Sequence, residues 1–279
     1  MKKSVMSISV LVANVMLLVS ACSTESNLSP STTSSTTTTN STTSSTGTNG
    51  SSSTATTTAN AITSLEIFKK VYGATEVYIE GNYAIIKANG LPDHKSPYYK
   101  DTQWATAKYE AYNGTNTKFA LNPNRIVSQS YVFKIPINPT KASSSSATPA
   151  GPIGVSLNGV PFYNQYAAMN APLTNEVNGF DQYKGHPQQQ GQYHYHVEPT
   201  YLTAQKGKDA LLGFLLDGFP VYGPLEKGKT ITNGDLDGFH GHSHATTEYP
   251  NGIYHYHITD ADPYINGNGF YGTAGTVSK

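Results

Sequence analysis

Residues 157–163 read Leu-Asn-Gly-Val-Pro-Phe-Tyr, and residues 216–222, which lie 59 positions later, read Leu-Asp-Gly-Phe-Pro-Val-Tyr. In both copies a short apolar run leads into a turn signal, Asn-Gly or Asp-Gly, and then into a segment of aromatic and β-branched residues. This pattern predicts a strand, a turn and a second strand, and it predicts them twice.

Two further landmarks follow each copy in the same order. Gly185-His186 recurs as Gly241-His242, and Tyr193–His196 recurs as Tyr254–His257. Three matches in one order indicate that a whole strand–loop–strand unit has been duplicated. We expect a pseudo-two-fold arrangement with the two Tyr-His-Tyr-His segments near its axis. The repeat units cover about residues 151–198 and 211–260.

Strand and turn signals also dominate the rest of the chain, which contains 25 Gly and 16 Pro. Thr75–Lys87 alternates aromatic and β-branched residues around a turn at Gly81 and predicts a hairpin, and Ile126–Ile135 predicts another strand. Lys141–Gly151 predicts a loop, and Leu65–Val71 is the best candidate for a helix. We therefore expect a mainly β fold: a single compact β-rich domain with long ordered loops, built on the internal duplication.

The N-terminus has the organisation of a bacterial secretory signal. Lys2 and Lys3 precede the apolar stretch Val5–Val19, and small residues then lead to Cys22, the only cysteine of the chain. We expect residues 1–21 to be a signal peptide that is removed.

The following segment has the composition of a disordered tether. Residues 23–60 contain 27 Ser or Thr among 38 residues, so they lack the apolar surface that would offset the entropy of folding. We expect residues 22–60 to be a tether and residues 61–279 to form the folded domain.

Val19-Ser20-Ala21-Cys22 resembles the lipobox of bacterial lipoproteins. The resemblance implies cleavage before Cys22, lipidation of its sulfur and localisation to the cell envelope, with the membrane as a partner through the lipid anchor. Ser23 favours the outer membrane if the cell is Gram-negative. The alternative is an ordinary signal peptide with a chance cysteine at the cleavage position.

The charge balance argues against nucleic-acid binding. The chain has 18 Lys or Arg against 18 Asp or Glu, whereas proteins that bind nucleic acid normally use a basic face to neutralise phosphates. No apolar run after residue 21 is long enough to span a membrane. Nothing in the sequence identifies a protein or glycan partner.

Histidines carry the strongest chemical signal. Nine are present, and six of them form the His-x-His pairs His194/His196, His242/His244 and His255/His257. In a strand, residues i and i+2 point to the same face, where two imidazoles can bind one metal ion. The interleaved tyrosines point to the other face and are expected to pack in the core.

These residues predict a site for a divalent metal ion. Because the one cysteine is used for lipidation, the ligands are nitrogen or carboxylate groups, which suit Cu(II) or Zn(II). Asp217 and Asp237 lie close to the histidine motifs and are candidate ligands, or candidate acceptors for the ring nitrogen that does not bind the metal. We expect imidazoles from both repeats to meet around a common cation, although the spacing also allows two sites.

The ordered set of motifs resembles the YHYH-domain family, which is named for its Tyr-His-Tyr-His segments. The likeness extends over about residues 77–272, and the first motif within this range is Asn89–His94. The resemblance brings His94 into the same set of histidine motifs, and His186, the counterpart of His242 in the repeat, completes the candidate ligands. The family resemblance implies no particular activity.

Three functions remain open from the sequence. The first is metal capture, buffering or a structural ion in a lipid-anchored protein. The second is a metalloenzyme, hydrolase or oxidoreductase, with Asp217 or Glu248 as a general base. The third is a surface module that binds glycans or partners through tyrosine-rich loops, with the histidines as a structural His/Tyr network. A serine nucleophile is not expected, because no Gly-x-Ser-x-Gly motif is present. A cysteine nucleophile is not expected either, because the only cysteine, Cys22, is expected to carry the lipid.

Overall fold

A computed structural model describes residues 64–279 of the protein. The expected signal peptide (1–21), the tether (22–60) and the lipidation residue Cys22 lie outside these residues. Among the described residues, no helix has the length and apolar character needed to cross a membrane. The fold is mainly β, as predicted.

Within residues 64–279, sixteen strands form four sheets, and helices are few and short. In chain order the strands are β1 (Ala74–Glu80), β2 (Tyr83–Ala88), β3 (Tyr131–Pro136), β4 (Lys141–Ser146), β5 (Pro152–Ser156), β6 (Pro161–Tyr163), β7 (Gly185–Pro187), β8 (Tyr193–Tyr195), β9 (Leu211–Leu215), β10 (Pro220–Tyr222), β11 (Leu225–Glu226), β12 (Lys229–Thr230), β13 (Gly241–His244), β14 (Ile253–His257), β15 (Phe270–Gly272) and β16 (Thr276–Ser278). The α-helical segments are residues 64–68, Ala105–Lys108 and Thr200–Lys206.

The largest sheet has eight strands in the order β7-β8-β6-β5-β9-β10-β14-β13. The order reads the same from either edge once each strand is replaced by its repeat counterpart, since β5, β6, β7 and β8 correspond to β9, β10, β13 and β14. The pairing types correspond as well: β6–β8 and β10–β14 are parallel, whereas β7–β8 and β13–β14 are antiparallel. The predicted duplication is therefore confirmed as a pseudo-two-fold sheet.

The pseudo-two-fold axis passes through the centre of this sheet. Val155 on β5 is paired with Phe214 on β9, which is its own counterpart 59 residues later. On either side, Gly154 pairs with Leu215 and Ser156 pairs with Gly213, so the two flanking pairs exchange under the symmetry. The Tyr-His-Tyr-His segments lie on β8 and β14, next to the two outer edges. The expectation that they lie near the axis is wrong.

The tyrosines of both motifs pack in the core, as their spacing predicts. Tyr193, Tyr195, Tyr254 and Tyr256 are all buried within the main hydrophobic cluster. A buried tyrosine needs a partner for its hydroxyl, and polar side chains near the turns supply it.

A second sheet, in the order β1-β2-β3-β16, contains the predicted hairpin. The predicted strand Ile126–Ile135 begins only at Tyr131, because the preceding backbone bonds to loops. The N–H of Val127 donates to Gly191 O, and that of Gln129 donates to Asn89 O. These bonds replace the ladder that a strand would form.

Two further local predictions differ from the structure. Residues 141–146 form β4 instead of a loop, because their backbone pairs with β15, a partner distant in sequence. Such pairing needs only backbone groups, so a serine run supports it despite its loop-like composition. The predicted helix Leu65–Val71 is helical through residue 68 and then continues as a turn toward Gly73.

The central pair of strands predicts a strong effect of a small substitution. A Cβ at Gly213 would lie 2.2 Å from Val155 O and 2.7 Å from the Phe162 ring. We expect Gly213→Ala to lower the free energy of unfolding by about 1–3 kcal/mol, the usual cost of overpacking, as measured by urea denaturation. Gly234→Ala is the matched control, because its Cβ meets nothing closer than 3.7 Å. Equal stability of the two variants would contradict the close approach of β5 and β9.

Candidate metal centres

The first repeat gathers three imidazoles and one carboxylate, which we call site A. His186 lies on β7, His194 and His196 belong to the motif that begins on β8, and Glu176 begins the 3-10 turn Glu176–Gly179. One ligand atom from each residue lies within 4.8 Å of the other three. The antiparallel register places His186 directly opposite His194, so sheet pairing itself brings these two rings together.

The second repeat gathers an equivalent set, which we call site B. It consists of Glu226 on β11, His242 on β13, and His255 and His257 on β14, again within 4.8 Å of one another. His242 is opposite His255 in the β13–β14 register. The three histidines of each site therefore occupy corresponding positions of the duplicated unit.

Backbone carbonyls hold the motif imidazoles of site A. His194 Nδ1 lies 2.9 Å from Gln192 O. His196 Nδ1 lies 2.5 Å from Asn164 O. A carbonyl oxygen only accepts a hydrogen bond, so each Nδ1 carries the proton, and in a neutral ring Nε2 then carries a lone pair.

Site B repeats this anchoring. His255 Nδ1 lies 3.0 Å from Ile253 O. His257 Nδ1 lies 2.7 Å from Gly223 O. The carbonyls of Gln192 and Ile253 come from corresponding positions two residues before the first histidine of each motif. Both sites thus have hydrogen bonds of the kind by which proteins fix the tautomer of a histidine that binds a metal ion.

Five Nε2 atoms of the two sites have no satisfactory partner among residues 64–279, which the structure describes. In site A, the Nε2 atoms of His194 and His196 face each other at 2.9 Å, where two lone pairs repel unless a cation or a proton lies between them. The Nε2 atoms of His186, His242 and His257 are buried and make no hydrogen bond. Buried polar atoms are almost always paired, so the donor atoms fit a metal ion that would satisfy all of them at once.

A carboxylate lies beside the unpartnered nitrogen in both sites. His186 Nε2 is 3.3 Å from Glu176 Oε1, and His242 Nε2 is 3.6 Å from Glu226 Oε2. Four ligands at about 2.0–2.2 Å from one ion lie roughly 3.3–3.6 Å from one another in a tetrahedron, and both of these separations fall in that range. Three neutral imidazoles and one carboxylate would leave a divalent ion with one net positive charge.

Burial keeps the imidazoles neutral and therefore able to bind a metal ion. It lowers the pKa of His186 to about 3 and that of His196 to about 4. In site B it lowers the pKa of His255 to about 4. Burial and the neighbouring imidazoles hold the pKa of His194 well below its ordinary value. At neutral pH the rings therefore do not need to lose a proton before they coordinate.

Aromatic rings fix the orientation of the motif imidazoles. Tyr163 stacks on His194, with ring centroids 3.9 Å apart. Its counterpart Tyr222 packs edge-on against His255 at 5.1 Å. Tyr163 and Tyr222 end β6 and β10, the strands that pair in parallel with the motif strands. The residues conserved between the two repeat copies therefore form the wall of each site.

Each site opens into a cleft. A cleft of about 420 Å³ is lined by His194, His196 and Glu176 of site A, and another of about 480 Å³ is lined by His255, His257 and Glu226 of site B. Both volumes are large enough for water and small solutes. The ligand atoms are thus buried but close to solvent.

The structure does not support one common cation for both repeats. Sites A and B share no residue and lie on opposite edges of the eight-stranded sheet, with β6, β5, β9 and β10 between β8 and β14. At about 4.8 Å per strand, the motif strands are about 24 Å apart. The imidazoles therefore form two separate groups.

His94 lies outside both groups. Its Nδ1 is 2.9 Å from Lys95 O, and its Nε2 is 3.1 Å from the hydroxyl of Tyr195. Both ring nitrogens have partners within the protein, so the buried His94 braces the tyrosine side of the first repeat. The structure therefore does not support the prediction that His94 is a metal ligand.

Asp217 and Asp237 also serve the tyrosines instead of the imidazoles. Asp217 Oδ2 accepts hydrogen bonds from Tyr256 OH at 2.6 Å and from the N–H of Gly272 at 2.9 Å. Asp237 Oδ1 accepts from Tyr254 OH at 2.8 Å. No hydrogen bond in the described part of the chain joins either carboxylate to an imidazole. Their expected role beside a metal ligand is therefore corrected: the ring nitrogens are held by carbonyls.

His244 reaches site B from its outer side. Its Nδ1 lies 2.8 Å and 3.1 Å from the two carboxylate oxygens of Glu226, and its ring centroid is 4.2 Å from that of His242. It is not one of the four residues whose ligand atoms converge. His244 therefore contacts a ligand of site B.

The carboxylates Glu176 and Glu226 were missed by sequence reasoning. They do not correspond to each other in the repeat, since Glu176 precedes its Gly-His landmark by 9 residues and Glu226 precedes its landmark by 15. Glu176 reaches site A from a 3-10 turn, and Glu226 reaches site B from a two-residue strand. Neither position belongs to a periodic pattern, so no local signal distinguishes them from surface glutamates.

The buried imidazoles predict that the metal-free protein loses stability in mild acid. An imidazole with a pKa near 6.5 in the unfolded chain and about 3 to 4 in the folded chain takes up its proton preferentially on unfolding. Its contribution is therefore present above about pH 6.5 and is lost as the pH falls toward about 4. We expect urea denaturation in EDTA to give a free energy of unfolding that decreases over this range.

Three carboxyls oppose this trend, and one variant tests it. Burial raises the pKa of Glu176 and of Asp181, and it raises that of Asp217 to about 6, so these carboxyls favour the folded state as the pH falls. The imidazoles whose pKa burial lowers outnumber them. His196→Gln removes one imidazole while retaining a side-chain donor, and it should flatten the pH profile. A free energy that stays constant or rises between about pH 6.5 and about pH 4 would contradict the assignment of neutral buried rings.

Comparison with known families gives one match. Residues 132–233 and 225–269 match the family model described as YHYH protein, and these ranges contain the ligands of both sites. The early element Asn89–His94 lies outside them. Comparisons with curated proteins and with solved structures give no match. With its two Tyr-His-Tyr-His strands and their flanking motifs in order, the chain belongs to the YHYH family.

Proposed function

We propose that this YHYH protein binds two divalent metal ions, one in site A and one in site B. The observation that carries the proposal is the convergence of imidazole nitrogens in each site. Among the described residues, the Nε2 atoms of His186, His242 and His257 are buried without a hydrogen bond, and those of His194 and His196 face each other. The four motif imidazoles are held through their Nδ1 atoms by carbonyls. A packed core does not leave several neighbouring lone pairs unsatisfied, because each costs about 1–3 kcal/mol. A cation removes this cost at every ring of the group.

The donor set favours Zn(II) or Cu(II). Each site offers three imidazole nitrogens and one carboxylate and no thiolate, a combination suited to these two borderline ions. Mg(II) and Ca(II) prefer sites made entirely of oxygen ligands. The divalent ion would supply positive charge to a buried group of neutral rings, and the carboxylate would offset part of that charge.

The protein's own residues hold the ligands in place before any ion binds. Carbonyls fix the tautomers, Tyr163 and Tyr222 fix ring positions, and the β7–β8 and β13–β14 registers bring histidines of different strands together. Such preorganisation lowers the entropic cost of binding. Because the ion would bind only the folded state, it would also stabilise the fold.

The location we propose for these sites is the outer side of a membrane. The segment that ends in Cys22 has the order of a lipoprotein signal, and a Ser/Thr-rich stretch separates it from residue 64, where the described structure begins. The proposed function is therefore lipid-anchored metal binding in the cell envelope, for capture, buffering or structural use of the ion.

A second candidate function is a metal-dependent enzyme. The specific observation that favours it is the cleft of about 480 Å³ beside site B, which is lined by Lys206, Tyr222 and Glu248 in addition to the ligands. Zinc enzymes keep a coordination position for water, whereas structural sites use four protein ligands. The Co(II)-substituted protein distinguishes them, because a water added to the four protein ligands makes the ion five-coordinate, and five-coordinate Co(II) absorbs visible light more weakly than tetrahedral Co(II).

Metal content of the full chain, produced without an affinity tag, tests the proposed function. We expect elemental analysis to find two Zn or Cu ions per chain, because the two groups share no ligand. His194→Ala should leave one ion, His255→Ala should leave one ion, and the double variant should leave none.

His94→Gln is the matched control, since His94 is a buried histidine outside both sites. It should retain both ions. If His194→Ala and His255→Ala bind as much metal as the unchanged protein and unfold at the same temperature, the proposed function is wrong.

A separate experiment tests the anchor. We expect the protein made in a bacterial host to incorporate labelled fatty acid and to enter the detergent phase of a Triton X-114 extraction, because acyl chains on Cys22 partition into the micelles. Cys22→Ala should abolish the labelling and leave the protein in the aqueous phase. Labelling that persists in Cys22→Ala, or no labelling of either protein, would rule out the lipid on this residue.

A further inference from the structure

Besides the carboxylates Glu176 and Glu226, which do not correspond, the two sites differ at a position two residues after the landmark histidine. His244 in the second repeat aligns with Gln188 in the first, since Gly185-His186 and Gly241-His242 place both residues two positions after the landmark histidine. The histidine ligands, the carbonyls that bond them and the packing tyrosines correspond between the repeats. The exchange of Gln188 for His244 is therefore a difference between two otherwise similar sets of side chains.

In site A the corresponding side chain, Gln188, forms hydrogen bonds within the protein. The amide of Gln188 donates to Gln192 and lies 3.2 Å from the hydroxyl of Tyr163. An amide in these contacts offers no imidazole nitrogen to an incoming ion. The landmark histidine of site A is correspondingly enclosed, with the side chain of His186 only 5% exposed.

In site B the corresponding side chain stands at the surface. The side chain of His244 is 45% exposed, and its Nδ1 is bonded to the carboxylate of Glu226. A carboxylate accepts the Nδ1 proton, so the Nε2 of the neutral ring carries a lone pair. That ring lies 4.2 Å from the ring of His242, centroid to centroid, and so lies between solvent and a half-buried candidate ligand.

We propose that His244 is a capture ligand that makes site B exchange its metal ion faster than site A. This inference rests on the proposed function of both sites. An ion taken up at the exposed imidazole would pass to Glu226 and His242 by successive ligand substitution, and it would leave by the same steps in reverse. Site B would then trade a divalent ion with small chelating ligands in the surrounding medium, while site A would retain its ion.

The geometry gives His244 two functions toward the same ligand. Its hydrogen bonds reach both oxygens of Glu226, at 2.8 Å and 3.1 Å, and so hold the carboxylate at the outer side of the site. A carboxylate shared between a hydrogen-bond donor and an ion has an alternative partner when the ion leaves. Stepwise replacement of this kind lowers the cost of each intermediate, because no charged group becomes unpaired in a buried place.

Chelator competition on the fully loaded, full-length protein tests the inference. We expect Zn(II) transfer to the coloured chelator 4-(2-pyridylazo)resorcinol to occur in two phases of one ion each. The fast phase should be missing in His255→Ala, and the slow phase should be missing in His194→Ala. These two variants assign the phases to sites B and A.

The reciprocal exchange of side chains provides the decisive variants. His244→Gln gives site B the residue of site A, and it should slow the fast phase toward the rate of the slow phase. Gln188→His gives site A the residue of site B and should accelerate the slow phase. His244 is half exposed, so His244→Gln is expected to fold normally, and urea denaturation in EDTA checks this.

The outcomes separate the two proposals. Two ions that leave at one rate, or a fast phase that His244→Gln leaves unchanged, overturn the capture role while metal binding itself stands. A wild-type chain that retains no metal overturns the proposed function and this inference together. Two phases with the fast one slowed in His244→Gln support the capture role.

Discussion

Four hydrogen bonds from imidazole Nδ1 atoms to backbone carbonyls determine what both sites can do. Each bond fixes which nitrogen carries the proton, and each thereby directs a lone pair at Nε2 into the interior. If these rings adopted the other tautomer, Nε2 would carry the proton and could not coordinate a metal ion. Burial lowers the pKa of these rings and so keeps them neutral, and in each site a carboxylate lies beside the converging nitrogens.

The duplicated sheet explains why the arrangement occurs twice. Around an axis between Val155 and Phe214, the same succession of strands extends outward in both directions and ends in a histidine-bearing hairpin. One face of each motif strand supplies tyrosines to the core, where Asp181, Asn158, Asp217 and Asp237 bond their hydroxyls. The other face supplies imidazoles to a site. The core tyrosines thus fix the direction in which the histidines point.

The sequence predicted the features that arise from periodicity and repetition. The alternation of Tyr and His predicted a core face and a ligand face, and the repeated landmarks predicted the pseudo-two-fold sheet. Residues two apart on a strand share a face, which is why His255 and His257 belong to one site. Strand order is not encoded in that alternation, so the place of the motifs near the sheet edges, and hence two sites instead of one, required the fold.

Residues outside the periodic pattern could not be identified in this way. Glu176 and Glu226 reach their sites from a turn and a two-residue strand whose positions depend on long-range packing. Asp217 and Asp237 are close to the histidines in sequence, but they lie on the side of the tyrosines because the turn that contains each carboxylate also bonds its own backbone. His94 aligns with the histidine motifs by resemblance, and its ring is used by Tyr195 and a carbonyl.

A crystal of the protein grown with Zn(II) and measured on both sides of the zinc absorption edge tests the central claim most directly. The account predicts two strong anomalous peaks, one within about 2.0–2.2 Å of the Nε2 atoms of His186, His194 and His196 and one equally close to those of His242, His255 and His257. A single peak shared by both repeats would contradict it. Peaks confined to exposed side chains, with both buried groups devoid of zinc, would contradict it as well.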